Sequence, residues 1–556
     1  SPALPPVGGV SLVTQSGAVC VAALDWMASR QLGLHKWIDL GNEAGVTVAQ
    51  CLAHLAHDPA TRVIGCQLEW VTDGTGFLKA ATEASHRKPV VLLLGGSSAW
   101  YRRPSAHQAG GRIPSPAVFT AICGRMGVVR TAGFQDWLDV LLAFSRSPLP
   151  ADNRVAVISN GAGTGMLTAD TLDRQGLLPV GLSPDATAAL SSAHAGDRAA
   201  EGPLDLGWLV RPEQLRAALE VAARDGGSDA LLTVLTTPPG LPAMELVRAI
   251  PPGDPLGKPL LAVLLGGASM RAGTGELDRL GVAGYPTPER AAVALAALDG
   301  YSRWRRRGPR VITSLAVNQA RVSRLIQRCR VLGKRRLSDL ESKQILHAYG
   351  IAIPEGEEAA TVDDAQRIAE RLGYPVTLHL LASDLHLARE MESRHDQVEG
   401  PRGVRDGFDL LTLRFAKEVP TGRVEGVYVE KSVAHGHPIL MGMQLDGQFG
   451  PMLQVGSANP LALEDAHCQL APITGEEAMA LLRGGCRQNL FDELCLDLTE
   501  NEWLVVAEVL QRLGQLAIDF PQLERITINP LIIRRAGLPP VATECDIQLQ
   551  VGERRK

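Results

Sequence analysis

Two stretches of the chain repeat one order of elements: an apolar run, a turn of small residues, and a segment with apolar residues at helical spacing. The first reads "GVSLVTQSGAVCVAALDWMAS", and the second, Arg154–Gly176, reads "RVAVISNGAGTGMLTADTLDRQG". Short apolar runs bounded by turn residues predict buried strands, and strands that alternate with helices predict a parallel sheet. The first part of the chain is therefore predicted to be α/β.

A second pair of matching segments indicates that this α/β pattern is duplicated. "KPVVLLLGGSS" (Lys88–Ser98) returns much later as "KPLLAVLLGGAS" (Lys258–Ser269). Polar "SRSPLPADN" separates the two copies, and the basic stretch "SRWRRRGPR" (Ser302–Arg310) follows the second. A run of like charge is typical of an exposed segment, so we interpret this stretch as part of a linker between domains.

The remaining chain has a different pattern. "LSDLESKQILHAYGIAIPEG" predicts a helix that ends near Gly350, and "VEGVYVEKSV" and "RITINPLIIRR" predict strands. This mixture favours an α+β domain, with a loop predicted over the polar, glycine-bearing segment 388–407. The predicted domains are 1–148, 152–303 and 335–556, with a basic linker at 304–334.

Composition excludes several classes of protein. The 556 residues carry a formal net charge of −5 with no basic domain, which argues against nucleic acid as a partner. No apolar run approaches the ~18–20 residues that cross a bilayer, so no membrane partner is expected. The nine cysteines are scattered without a C-x-x-C pair, which argues against disulfides and structural zinc and favours the cytoplasm.

The two small-residue turns are candidate anion sites. "TQSGA" and "SNGAGTG" each join a predicted strand to a predicted helix. A helix N-terminus presents backbone N–H groups, and its dipole favours a negative charge, so such a turn can hold phosphate. Many α/β proteins use glycine at this place only to turn the chain, and that interpretation stays open beside the first.

Motifs along nearly the whole chain occur in the order found in one family. They include "GGVSLVTQSGA", "DLGNEAGVT", "KPVVLLLGG", "ISNGAGTGMLTADTL" and "INPLII". In these motifs the chain resembles the NDP-forming acyl-CoA synthetases, relatives of succinyl-CoA synthetase. The same modules form the large portion of a group of bacterial protein lysine acetyltransferases, to which a GNAT domain is attached.

The resemblance implies a fold and a reaction. The fold is α/β, with two tandem flavodoxin-like parallel-sheet domains followed by an ATP-grasp-like α+β domain. The reaction, that of an acid-thiol ligase, interconverts an acid, CoA and ATP with an acyl-CoA, ADP and phosphate through an acyl phosphate and a phosphohistidine. By resemblance His107, in "AHQAGG", is that histidine, and Glu69 is the carboxylate that steadies its imidazole. A neutral imidazole suits the role of nucleophile near pH 7.

The resemblance also assigns binding residues in the α/β domains. The two helix N-termini would clamp the phosphohistidine, one from each domain. The phosphate-binding residues expected from the first turn and the second are Gln15, Ser16, Gly17, Asn160, Gly161, Ala162 and Gly163. Gly41 and Asn42, in "LGN", match a family turn near the CoA and phosphate region.

The ATP-grasp-like region departs from the family pattern. His379 stands where the family has a lysine that neutralises nucleotide phosphates, and His386 survives from a loop whose next basic position is Leu387. ATP is therefore predicted to bind weakly. Asn529 and Glu544 match groups that supply hard oxygen ligands to Mg²⁺.

Two functions remain open at this point. One is an acyl-CoA synthetase with His107 as phosphoryl carrier. The other is a catalytically degenerate acyl-CoA-sensing or nucleotide-sensing portion, or scaffold, of a GNAT protein lysine acetyltransferase. The chain starts without Met, at the point where the family's CoA-binding domain would end. We therefore expect a fragment or an oligomer in which a CoA-binding or GNAT domain is supplied in cis or in trans.

Overall fold

The structure is a computed structural model of the chain, in which two compact units comprise Ser1–Pro309 and Arg310–Lys556. His107, His386 and Leu387 lie outside the residues that it describes. The described residues are 4–96, 115–191, 202–238, 240, 242–253, 256–382, 393–433, 436–457, 467–487, 498–534 and 538–550.

The first half of the first unit is a parallel sheet with helices between its strands. Strands and helices alternate as β1 Val7–Thr14, α1 Gly17–Ser29, β2 Leu34–Asp39, α2 Val48–His57, β3 Val63–Leu68, α3 Gly74–Arg87, β4 Val90–Leu94, α4 Pro116–Met126, β5 Val129–Thr131 and α5 Phe134–Arg146. The strand order is β2-β1-β3-β4-β5, and every pairing is parallel. The flavodoxin-like parallel sheet predicted for this region is confirmed.

The second half of the unit repeats this architecture. Its elements are β6 Arg154–Ser159, α6 Ala162–Arg174, β7 Leu178–Val180, α7 Pro184–Ser191, β8 Leu204–Asp205, α8 Pro212–Arg224, β9 Ala230–Leu235, α9 Ala243–Ala249, β10 Leu260–Leu264, α10 Ala268–Arg271, α11 Thr274–Arg279, β11 Ala283–Tyr285 and α12 Pro288–Arg306. The order β11-β10-β9-β6-β7 is parallel throughout, with β8 also beside β6. The predicted duplication is confirmed.

Helices α5 and α12 join the two sheets into one unit. Trp137 of α5 and Leu298 of α12 are both fully buried and belong to one apolar cluster with residues of both sheets. Arg290 of α12 donates to both carboxylate oxygens of Asp139 at 2.6 and 2.7 Å, and the Tyr285 hydroxyl donates to the Asp139 carbonyl at 2.9 Å. A bidentate pair on a buried carboxylate fixes orientation as well as proximity.

The second unit is α+β, as predicted. Its elements are α13 Gln319–Val331, α14 Asp339–Ala348, β12 Gly356–Ala359, α15 Val362–Leu372, β13 Val376–Ala382, β14 Arg394–Val398, α16 Gly400–Glu418, β15 Val424–Lys431, β16 His437–Asp446, β17 Gly450–Ser457, β18 His467–Leu470, α17 Gly475–Arg487, α18 Glu500–Asp519, β19 Leu523–Ile533, β20 Val541–Ala542 and β21 Cys545–Leu549. The sheet β12-β15-β13-β14 and the sheet β18-β17-β16-β19-β20 are antiparallel, and β21 pairs with β19.

The structure differs from the sequence prediction in two segments. Segment 388–407, predicted as a loop, contributes β14 and the start of α16, because β13 offers a pairing edge and Val404 packs into the core beside it. Segment 304–334, predicted as a linker, contains the end of α12 and all of α13. Val322 and Ile326 of α13 are buried in the core of the second unit. None of the helices in the described residues has the length and apolar character needed to span a bilayer.

Candidate functional site

The first glycine turn connects β1 to α1 and opens to solvent. Ser16 caps the helix, since its hydroxyl accepts from Val19 N at 3.5 Å, and Ser16 N donates to Gln67 Oε1 at 3.0 Å. Gly17 and Ala18, the first residues of α1, are exposed. Backbone N–H groups at an exposed helix N-terminus attract anions, so this turn stays a candidate phosphate site.

The second glycine turn occupies the same place in the second sheet. Gly161 is the N-cap of α6 and gives the helix no side-chain cap hydrogen bond, while Ala162 and Gly163 in the first turn of the helix are exposed. A Cβ built on Gly163 meets no atom within 4 Å. The helix N-terminus is therefore approachable from solvent here as well.

The side chains of Gln15 and Asn160, both predicted to bind phosphate, link the ends of neighbouring strands by hydrogen bonds. We call these two side chains the clamps. Gln15 is 6% exposed, and its Oε1 accepts from the backbone N–H groups of Glu69 at 2.5 Å and Trp70 at 3.1 Å, just after β3. Asn160 is 2% exposed; its Nδ2 donates to Thr236 O and its Oδ1 accepts from Thr236 N, both at 2.9 Å, just after β9. Each amide thus ties the first strand of its half to the neighbouring strand.

Glu69, the predicted partner of the histidine, lies half-buried beyond β3, with its backbone held by Gln15. A Cβ built on Gly95, just after β4, would lie 3.8 Å from the Glu69 Cγ. Gly95 N donates to Leu68 O at 2.7 Å, which fixes this approach. Segment 97–114, which carries His107, starts shortly after this glycine and lies outside the described residues. Glu69 therefore borders the backbone from which that segment departs.

The turn after β2 holds the predicted Gly41 and Asn42, and also a residue that sequence reasoning missed. Gly41 has φ 51°, and Asn42 Oδ1 accepts from Ala44 N at 3.1 Å. The next residue, Glu43, is buried, and its carboxylate accepts from Gln15 Nε2 at 2.8 Å. The sequence "GNEAG" gives no sign of this burial, because the partners come from distant positions. A cavity of about 410 Å³ adjoins the turn and is lined by Ile38, Asp39, Leu40, Val46, Gln50, Cys51 and His54.

In the second unit, His379 belongs to a buried charge cluster. Its Nε2 lies 2.8 Å from Glu430 Oε1, and its Nδ1 lies 3.7 Å from Asp339 Oδ2. Lys343, 1% exposed, donates to Glu430 Oε2 and Asp339 Oδ2, each at 2.8 Å. Burial raises the pKa of Glu430, but the bonds from His379 and Lys343 outweigh it, so the pKa is lowered. Both ring nitrogens of His379 thus lie near carboxylates of the protein itself.

Asn529 and Glu544, the predicted magnesium ligands, are neighbours on paired backbone. Asn529 N donates to the carbonyl of Glu544 at 3.2 Å. The Glu544 carboxylate, however, accepts from the Arg394 guanidinium, and the described residues hold no group of three His, Cys, Asp or Glu side chains arranged for a metal. A carboxylate that already carries a guanidinium does not fit a magnesium ligand in this arrangement. Magnesium therefore stays a prediction and enters no step below.

Two family models match the chain. A succinyl-CoA ligase like flavodoxin domain matches residues 7–144, and an ATP-grasp domain matches residues 328–549. The first covers the sheet that holds Gln15, Glu43 and Glu69. The second covers the α+β unit that holds the His379 cluster. The order of the two domains agrees with the order of the motifs in the sequence.

Similar proteins share this arrangement over most of the chain. An acetate–CoA ligase (ADP-forming) I of Archaeoglobus fulgidus is 26% identical over 99% of this chain and 78% of its own length. A 4-hydroxybutyrate–CoA ligase (ADP-forming) of Nitrosopumilus maritimus is 24% identical over 96% of this chain and 77% of its own. Among solved structures, acetyl-coenzyme A synthetase 1 of Ca. Korarchaeum cryptofilum, in complex with phosphate and ADP, matches with a TM-score of 0.51 and 25% identity. That match covers 54% of this chain and 66% of the solved chain.

Proposed function

We propose that this chain is an NDP-forming acyl-CoA synthetase, which interconverts an acid, CoA and ATP with an acyl-CoA, ADP and phosphate; the two matched domains and the similar ADP-forming ligases support this. The observation that carries the proposal is the pair of exposed helix N-termini, on α1 and α6, at equivalent strand ends of two duplicated sheets. The backbone N–H of Glu69 donates to the side chain of Gln15, the residue before the N-cap of α1. A pair of anion-binding helix N-termini suits a site that handles a phosphoryl group.

The proposed sequence of steps uses His107 as the phosphoryl carrier. The imidazole attacks the γ-phosphorus of ATP, forming an N–P bond as the bond to the ADP oxygen breaks. The carboxylate of the acid then takes the phosphoryl group from the imidazole and becomes an acyl phosphate. Finally the CoA thiol, losing its proton, attacks the acyl carbon and phosphate leaves. Glu69 would orient the imidazole, and the backbone N–H groups at Gly17 and Gly163 would stabilise the phosphoryl oxygens.

The ligands follow from the same proposal. The turn at Gly41 and Asn42, with the adjoining cavity, would contact CoA or the leaving phosphate. ATP would meet the second unit near His379, where we expect weak binding because His379 and Lys343 both pair with Glu430. A lost charge-assisted hydrogen bond to a nucleotide phosphate is worth about 1.5–3 kcal/mol, or roughly ten- to a hundredfold in affinity.

The test is phosphorylation of the full chain with radioactive phosphate. We expect an acid-labile, base-stable label from acyl phosphate that maps to His107 and is absent from His107→Ala. Label that persists in His107→Ala, or no label from acyl phosphate or ATP, contradicts the carrier role. Label from acyl phosphate but not from Mg-ATP would mean that the first unit alone retains its half of the reaction.

A second candidate function is favoured by the paired state of His379. In this candidate the second unit would sense acyl-CoA or a nucleotide, or serve as a scaffold, without catalysing the reaction, because the position of the family's lysine is held by ion pairs within the protein. Titration calorimetry with Mg-ATP separates the two. Binding in the micromolar range favours the synthetase, and no heat up to millimolar ATP favours the degenerate form.

A further inference from the structure

Glu43 combines burial, a negative charge and a left-handed backbone. It is 8% exposed, and its φ is 57°. A left-handed conformation is unfavourable for a residue with a Cβ, and a buried carboxylate is unfavourable without compensating partners. Such features persist only where the surrounding structure determines them strongly, and they concentrate at functional sites.

The hydrogen-bond partners of Glu43 within the described residues are neutral: two side chains from the loops after β1 and β3, and the first backbone N–H of α2. Its Oε1 accepts from Gln15 Nε2 at 2.8 Å and from Val48 N at 3.3 Å, and its Oε2 accepts from Thr72 Oγ1 at 2.7 Å. Gln15 follows β1, Glu43 follows β2 and Thr72 lies beyond β3. The carboxylate therefore joins the loops at the carboxyl ends of three adjacent parallel strands, the edge at which α/β sheets bind ligands.

Gln15 carries this connection to Glu69. Its Nε2 donates to Glu43 and to Trp70 O, the latter at 3.1 Å, which turns its Oε1 toward the backbone N–H groups of Glu69 and Trp70. Both ends of the amide are thus satisfied, and its side chain has one position. If Glu43 offered no acceptor, one donor of a buried amide would be unpaired and the hold on Glu69 would weaken.

We propose that Glu43 is a positioning residue of the phosphoryl-transfer site: through Gln15 it fixes the backbone from which the Glu69 carboxylate projects. The proposal rests on the proposed function for its catalytic consequence, and on the contacts of Glu43 and Gln15 for its structural part. Glu43 acts as a hydrogen-bond acceptor in this role, so a glutamine of the same length should largely replace it. A residue without an acceptor should not.

The experiment compares three variants of the full chain. Glu43→Met keeps the length of the side chain and removes both acceptors, whereas Glu43→Gln keeps an acceptor for Gln15. Glu83→Met makes the same chemical change at a partly exposed glutamate of α3 and is the matched control. Hydrogen exchange of the peptide that contains the Glu69 and Trp70 amides is measured with kcat, KM and urea unfolding.

In Glu43→Met we expect these amides to exchange about tenfold faster and kcat to fall about tenfold, with KM for each substrate within about twofold. Glu43→Gln should stay within about threefold of the unmodified chain in both measurements, and Glu83→Met should match it. If Glu43→Met does not fold, Thr72→Val removes a single donor to Glu43 without changing side-chain volume, and should shift both quantities in the same direction by less.

The outcomes separate this inference from the proposed function. If the unmodified chain is inactive but its Glu69 and Trp70 amides lose protection in Glu43→Met, the proposed function is wrong and the positioning role of Glu43 is supported. If the unmodified chain is active and Glu43→Met retains either the protection of those amides or its kcat, the positioning role is wrong and the proposed function stands. Equal loss in Glu43→Met and Glu43→Gln would also overturn it, because the acceptor is then not what matters.

Discussion

The two glycine turns of the first unit have the same backbone plan but different polar support. In the second turn Asn160 meets both the N–H and the carbonyl of one residue, Thr236, and needs no further partner. In the first turn the longer Gln15 holds two successive amides beyond β3 and is itself held by the buried Glu43. The difference indicates that the two turns have different roles. The second turn supplies a helix N-terminus, while the first also positions a carboxylate.

The largest expected effect tests this division directly. Glu69→Gln should slow phosphorylation by acyl phosphate about a hundredfold or more, because a misoriented imidazole is a poor nucleophile. Thr236→Val, at the equivalent place in the second half, removes only the hydroxyl that donates to Asn160 Oδ1 at 3.2 Å and should change the rate less than about threefold. Rapid-quench labelling measures both rates. Similar losses in the two variants would show that the halves contribute alike.

The next effect concerns the stability of the two clamps. Gln15→Ala leaves the backbone N–H groups of Glu69 and Trp70 unpaired and removes one of the three hydrogen bonds of Glu43. Asn160→Ala leaves only groups of Thr236 unpaired. At about 1–3 kcal/mol for each buried group left unpaired, both variants should lose unfolding free energy, Gln15→Ala the more.

Urea unfolding monitored by circular dichroism measures these losses. Asn153→Ala is the control, since the side chain of this half-buried residue makes one hydrogen bond within the described residues, to Gly176 O at 3.1 Å. A loss in Asn160→Ala that equals or exceeds the loss in Gln15→Ala would contradict the extra support assigned to the first turn.

The sequence predicts the duplicated sheets but not the hydrogen bonds of the clamps, because the sheets follow from local patterns and the clamps depend on distant strands. Strand, turn and helix follow from local periodicity, so β1–α1 and β6–α6 were predictable from their own residues. The roles of Gln15 and Asn160 depend on which strand lies beside each turn, and that is a property of the assembled sheet. Both are predicted as phosphate ligands, and that role stays a prediction; the structure shows that their side-chain amides bond to backbone groups.

The second unit shows the same limit of sequence reasoning. The loss of a lysine at position 379 was visible in the sequence, but the proximity of Lys343 on α14 was not, since only folding brings that helix beside β13. Likewise the polar segment 394–398 forms a strand because β13 offers it an edge, with Val376 paired to Val398. Local composition cannot predict pairing that a distant strand provides.

A smaller effect compares the two helix N-termini by one substitution in each. Gly163→Ala places a Cβ in open space, so we expect unchanged or slightly higher stability and about tenfold weaker phosphate binding as the methyl group obstructs the N–H groups. Gly17→Ala places its Cβ 3.0 Å from Asp39 Oδ2, the end of an exposed side chain, so a small shift of Asp39 accommodates the methyl group and stability should change little. Gly300→Ala, in open space within α12, is the control. Phosphate titration calorimetry and thermal unfolding measure both quantities, and unaltered affinity in Gly163→Ala would mean that the second turn is only structural.

The smallest expected effect concerns the charge beside the first turn. Asp39 is exposed, and its Oδ2 lies close to the N-terminus of α1, where it competes with an incoming anion for the positive end of the helix dipole. Asp39→Asn keeps an oxygen for Gly41 N, which Asp39 Oδ1 accepts at 3.3 Å, and removes the charge. Phosphate should then bind about two- to fivefold more tightly at low salt, with the gain shrinking as ionic strength rises. Asp25→Asn, the same change farther along α1, should leave the affinity unaltered. If phosphate binds Asp39→Asn no better than the unmodified chain at low salt, the anion does not sit at the N-terminus of α1, and the second turn alone would have to hold it.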